Sequence, residues 1–106
     1  MYKRVNERVE NARQAQEALM EVLRALSDET RQQILTRSFD QKEVCVNDIA
    51  KHFTLSRPTI SHHLNLMKRA KILNARKEGK EVYYSVNKAY LITLLESFLN
   101  NLKHCC

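Results

Sequence analysis

Residues 47–64, NDIAKHFTLSRPTISHHL, decide the fold. They read as two short helices joined by a tight turn, the arrangement that carries one helix into a DNA major groove. Ile49, Ala50 and Phe53 recur at helical spacing on the first helix, and Ala50 is small where the second must cross closely. Leu55 is expected to fill the turn. Ile60 and Leu64, four apart, mark the buried stripe of the second helix. Ser56 suits an N-cap, and Pro58 is tolerated in the first turn because its missing N–H would have had no partner there. Arg57, Thr59, Ser61 and His62 are left facing outward, all with hydrogen-bonding side chains.

The flanking sequence supplies a frame. Val5, Val9, Ala12, Leu19, Val22, Leu23 and Leu26 predict a first helix over about residues 2–26. Its first half is too polar for a core of its own, so it is expected to lie on a second subunit. Asp28 is positioned to cap a helix from Glu29 to about Phe39 that buries Ile34 and Leu35. Asp40–Lys42 reads as a loop and Glu43–Val46 as a short extended piece. Ile72–Lys77 and the β-branched, aromatic Glu81–Val86 predict a hairpin turning near Gly79. Asn87 is the expected cap of a last helix, about residues 88–103, with Leu91, Leu94, Leu95, Phe98, Leu99 and Leu102 on more than one face. That surplus of apolar surface also points to a dimer contact.

The resulting order, α-α-β-α-α-β-β-α, is a mainly α single domain over residues 1–106 with a small β-hairpin wing: a winged helix-turn-helix. Its wing carries Arg76, Lys77 and Lys80.

Charge is placed to match. The chain has a net charge of +6 over 106 residues. Residues 51–88 hold nine Lys or Arg (51, 57, 68, 69, 71, 76, 77, 80, 88) against Glu78 and Glu81, whereas the remainder holds nine basic and ten acidic residues. The whole excess surrounds the outward helix and the hairpin, the footprint of a polyanion partner. Lys68 and Arg69 fall in the last turn of that helix, placed for phosphate contacts.

Other chemistries find little footing. With one Gly there is no phosphate-binding glycine loop, and no nucleophile–base pattern or metalloprotease motif appears, so no enzymatic activity is expected. The N-terminal segment carries charges throughout, so neither a signal peptide nor membrane insertion is expected and a cytoplasmic location follows. Cys45, Cys105 and Cys106 are too few for a disulfide framework and are expected as thiols. Three thiolates together suit arsenite or another soft metal, and two adjacent terminal thiols suit an oxidant sensor. His62 and His63 are adjacent on one helix, so they do not share the i,i+4 face that helical chelation needs.

LRALSDETRQQIL, EVCVNDIAKHFTLSRPTISHHLNLMKRAKIL and RKEGKEVYYSV resemble the bacterial and archaeal repressors of the arsenical-resistance and metallothionein-repressor type. The resemblance runs from Leu23 onward. It implies a homodimer built on the first and last helices, holding two recognition helices to a palindromic double-stranded DNA operator and released by an effector. Carried over by position, Ser56, Arg57, Thr59, Ser61 and His62 become operator contacts, with Lys77 and Lys80 on the wing.

The family's sensing residues are another matter. Arsenite sensors carry Cys-Val-Cys-x-x-Cys where this chain has Cys45-Val46-Asn47-Asp48-Ile49-Ala50, so one ligand of three remains. The zinc-sensor positions on the last helix hold Lys88, Tyr90, Asn101 and His104. A protonated Lys offers no lone pair to a metal. No cofactor is therefore required, and a soft ion would have to use Cys45, Cys105 and Cys106. HFTLSRPTISHHLNLMKRAKIL and EGKEVYYSVN resemble most the non-metal autorepressors of the sporulation-delay type, which implies a membrane protein as effector partner. Two other readings fit the same residues: a thiol-based sensor, and a winged-helix module that docks an acidic protein.

Overall fold

The computed structural model describes residues 2–104, with side chains described from residue 12 onward. The elements run α1 (Tyr2–Ala25), α2 (Glu29–Ser38), β1 (Val44–Cys45), α3 (Val46–Ala50), α4 (Arg57–Arg69), β2 (Leu73–Glu78), β3 (Glu81–Val86) and α5 (Lys88–Lys103). This is the order read from the sequence. Expectations for Val5, Val9, Cys105 and Cys106 fall outside the described side chains.

One core joins every layer. Leu19 and Val22 of α1, Ile34 of α2, Ile49 of α3, and Ile60, Leu64 and Met67 of α4 are buried together with Ile72, Leu73, Val44, Tyr84 and Leu94. The residues from α1 and from α4 are three or four apart, because that spacing returns a side chain to the same face. Ser38, the one buried polar residue among those described, donates its hydroxyl to the Ile34 carbonyl at 2.8 Å. Leu35 is only half buried, at the margin of the core.

The sheet has the order β1-β3-β2 and is antiparallel throughout. Arg76 lies opposite Tyr83, and Tyr83 opposite Cys45, so these three share one face. Val44, Tyr84 and Ala75 share the other, which packs on the core. The hairpin begins one residue later than expected, at Leu73. Glu78 pairs with Glu81, leaving Gly79-Lys80 as a two-residue turn with φ +62° at Gly79. Lys80 keeps a negative φ, so the turn is of the type II′ kind, which matches the twist of the flanking strands.

Three local expectations are corrected. α3 ends at Ala50, and Phe53 reaches the core from the turn beyond it. Leu55 does not fill that turn; it is 37% exposed, because Phe53 already occupies the apolar side there, under the Arg37 guanidinium. Asn87 makes no side-chain cap for α5. Its amide instead donates to the Lys71 carbonyl at 3.1 Å, and its backbone N–H to the Ile72 carbonyl at 2.9 Å. Those carbonyls lie beyond the end of α4, so Asn87 joins the head of α5 to the tail of the outward helix.

Candidate nucleic-acid interface

α4 is built to present a polar face. Ser56 caps it in extended conformation, accepting from the Thr59 N–H, and the two hydroxyls meet at 2.9 Å. Both hydroxyls thus already serve the helix start. With Ile60, Leu64 and Met67 turned inward, the 100° step places His62, Asn65 and Arg69 on the opposite side. Arg57, Thr59, His62, Lys68 and Arg69 are exposed, and Ser61 is half buried at the flank. In the sequence Asn65, a polar residue between two apolar ones, carries no motif. Its position between His62 and Arg69 becomes evident only once the helix phase is known.

The far end of α4 is closed by a Schellman motif. The Lys71 N–H donates to the Lys68 carbonyl and the Ile72 N–H to the Met67 carbonyl, both at 2.9 Å. Lys71 occupies the left-handed position with φ 65°. Its ammonium lies 5.6 Å from the centroid of the Tyr90 ring on α5.

His63 is separated from its neighbour by the same helix step. Its ring faces α2, where Nδ1 accepts from Arg31 Nη1 at 3.0 Å. Arg31 Nε donates to the Ala25 carbonyl at the end of α1, so one side chain spans α1, α2 and α4. Asp28 caps α2 by accepting from the Arg31 N–H at 3.1 Å. That bond is the main reason its carboxyl is held below the usual range, with the charge of Arg31 adding to it.

On the wing, Lys77 and Lys80 are exposed and make no ion pair among the described residues. Arg76 is differently placed. Its Nε and Nη2 donate to the two carboxylate oxygens of Glu43 at 3.0 and 2.9 Å, and its Nη1 donates to Glu78 at 2.6 Å. The guanidinium carbon stands 5.0 Å from the Tyr83 ring centroid. The Arg76 bond holds the Glu43 carboxyl below the usual carboxylate range.

No metal site forms among the described residues: no group of three His, Cys, Asp or Glu converges. Cys45 is half buried at the N-cap of α3, its thiol donating to Asp48 at 3.3 Å. That bond and the Cys45 N–H lower the Asp48 carboxyl. Lys88 and Asn101 are exposed on α5, and Tyr90 is engaged by Lys71. Among the described residues no helix is long and apolar enough to cross a membrane.

A capped helix with a polar outer face, backed by a core and followed by a basic two-residue wing tip, defines a winged helix-turn-helix DNA-binding regulator. Residues 28–75 match the family described as bacterial regulatory protein, arsR family. The transcriptional repressor SdpR of Bacillus subtilis is 39% identical over 79 residues, which are 74% of this chain and 87% of that protein. The chain belongs to this arsR family of regulators, whose members are DNA-binding proteins and not enzymes. A cadmium resistance transcriptional regulatory protein CadC homolog of Staphylococcus aureus is 44% identical over 75 residues, spanning 71% of this chain but 62% of that one. Among solved structures, the homodimeric winged helix-turn-helix DNA-binding domain of a possible arsR-family regulator from Mycobacterium bovis superposes with a TM-score of 0.63. It shares 27% identity, over 80% of this chain and 81% of that one.

Proposed function

We propose that this chain is a homodimeric repressor that reads an operator with α4, steadies itself on DNA with the wing, and leaves when an effector binds. The observation that carries the reading is the outer face of α4. His62, Asn65 and Arg69 project from one side of a helix whose start, beside the exposed Arg57, is fixed by Ser56 and whose inner stripe is fully buried. Base-edge contacts are assigned to Arg57, Thr59, Ser61, His62 and Asn65, and phosphate contacts to Lys68, Arg69, Lys77 and Lys80. Dimerisation is assigned to α1 and α5, whose Met20, Leu23, Ile92, Leu95, Leu99 and Leu102 stand exposed in one chain. The homodimeric state of the Mycobacterium bovis domain supports it.

One relative, the CadC homolog, is named for cadmium resistance. In this chain Cys45 is engaged with Asp48, and its two candidate co-ligands, Cys105 and Cys106, lie outside the described residues. The comparisons lend no support to a membrane-protein partner.

The test is selection of duplexes from a random-sequence pool by the wild-type protein, followed by gel-shift titration. Arg57→Ala is expected to lose on the order of 1–3 kcal/mol at the base pair it reads and to relax preference there. Lys80→Ala is expected to weaken all duplexes alike and to lower the salt slope by about 1. Recovery of no preferred sequence, with affinity indifferent to both changes, would refute the assignment.

A further inference from the structure

Arg76 is one of three basic residues on the wing, yet its own ion-pair partners are two carboxylates. Its guanidinium holds both oxygens of Glu43, which precedes β1, and one oxygen of Glu78 at the wing tip. Two carboxylates around one cation leave a local charge that repels phosphate. The register explains how the reach is possible. β3 lies between β1 and β2, and Arg76 faces Tyr83, which in turn faces Cys45. The side chain therefore crosses the middle strand, over the Tyr83 ring, to meet a carboxylate beyond it. A planar fork binding a carboxylate at both oxygens fixes orientation as well as distance.

We infer that Arg76 is a positioning residue for DNA binding, clamping the wing across Tyr83 to Glu43, and that it is not a phosphate ligand. The clamp sets the angle at which Lys77 and Lys80 leave the body. Glu43 thereby becomes a residue that assists DNA binding despite its charge. This rests on the DNA-reading role proposed above, but the clamp itself is measurable without DNA.

The two roles for Arg76 give opposite signs for one substitution. If Arg76 positions the wing, Glu43→Gln weakens binding to the duplex selected by the wild-type chain by up to about fivefold, the scale of an exposed pair. Arg76→Gln does the same, the double variant is no weaker than either alone, and the salt slope stays as in the wild type. Arg76→Lys fails with Arg76→Gln, because an ammonium cannot stack and fork together. If Arg76 held a phosphate, Glu43→Gln would free it and tighten binding. Arg76→Lys would then behave as wild type and Arg76→Gln would reduce the salt slope by about one. Those results overturn the inference. Hydrogen exchange supplies the DNA-independent readout: amides of 43–45 and 76–83 exchange faster in Glu43→Gln and Arg76→Gln when the clamp exists. Unchanged exchange there overturns it, whereas a wild-type protein that selects no duplex refutes the DNA-reading role alone.

Discussion

Nδ1 of His63, on the outward helix, accepts a hydrogen bond from Arg31 Nη1 at 3.0 Å. Because a guanidinium only donates, the imidazole must present a lone pair at that nitrogen. The Arg31 side chain is 14% exposed and also bonds the last carbonyl of α1. Losing it leaves two polar groups unpaired at a shielded joint of three helices. Arg31→Met, which keeps the stem, is expected to lower stability by about 1–3 kcal/mol in urea denaturation. His63→Asn retains an acceptor near the Nδ1 position and is expected to be milder than His63→Leu. Equal losses for the two His63 variants would show that the bond carries no weight.

Lys71 stands at φ 65° in the C′ position that helices prefer to give to glycine. A side chain there costs roughly 1–2 kcal/mol, partly offset because glycine frees the unfolded chain more. Lys71→Gly and Lys71→Ala both lose the Tyr90 contact, and only Ala keeps the backbone penalty. The Gly variant is therefore expected to be more stable than the Ala variant by up to about 1 kcal/mol, read from paired thermal or urea midpoints. The reverse order would mean that the left-handed turn relaxes when the ammonium is removed.

The structure at this joint was only half legible in the sequence. Ile60, Leu64 and the Ser56 cap follow from local spacing, and the structure has all three as read. Asn87 looks like an N-cap because Asn precedes a helix, but the exposed Lys71 carbonyl takes its amide. A demand set sixteen residues away outweighed a local preference. Leu55 was misplaced for a related reason: nothing local says that Phe53, after α3 has ended, reaches the core first. At the interface, the basic residues were found by composition, but composition cannot see that Arg76 is held by Glu43, thirty-three positions earlier. The hairpin's place was readable from Gly79, whereas its register around a two-residue turn and the place of β1 beside β3 were not.

Asp28 gives the fold a defined acid response. Its carboxyl is held below the usual range chiefly by the Arg31 N–H, against a smaller opposing effect of burial. The folded state therefore binds that proton less readily than the unfolded state. Its contribution is present in full above the ordinary carboxylate value of about 4 and fades as pH falls through the lower folded value. Asp28→Asn keeps an acceptor at the cap but cannot titrate. The gap between wild type and Asp28→Asn is expected to shrink between about pH 5 and pH 2 in urea midpoints. Asp28→Ala should cost about 1 kcal/mol at neutral pH. A gap that stays constant with pH would remove Asp28 from the acid response.

Ile92, Leu95, Leu99 and Leu102 of α5 are spaced three, four and three apart, the seam spacing of paired helices. All four are about half exposed in one chain, Leu95 at 56%, while Leu94 beside them is buried in the core. Leu95 is thus available to a partner and dispensable to the subunit's own interior. In a two-fold interface one substitution acts twice, and each buried Leu contributes about 1.5–3 kcal/mol. Leu95→Glu is expected to raise the dimer dissociation constant on the order of 100-fold or more, seen by analytical ultracentrifugation, with helical circular dichroism retained. Operator binding should fall with it, since one subunit offers only one recognition helix. A Leu95→Glu protein that stays dimeric at wild-type concentrations would place the interface elsewhere, and one that loses its helical signal would place Leu95 in the subunit's core.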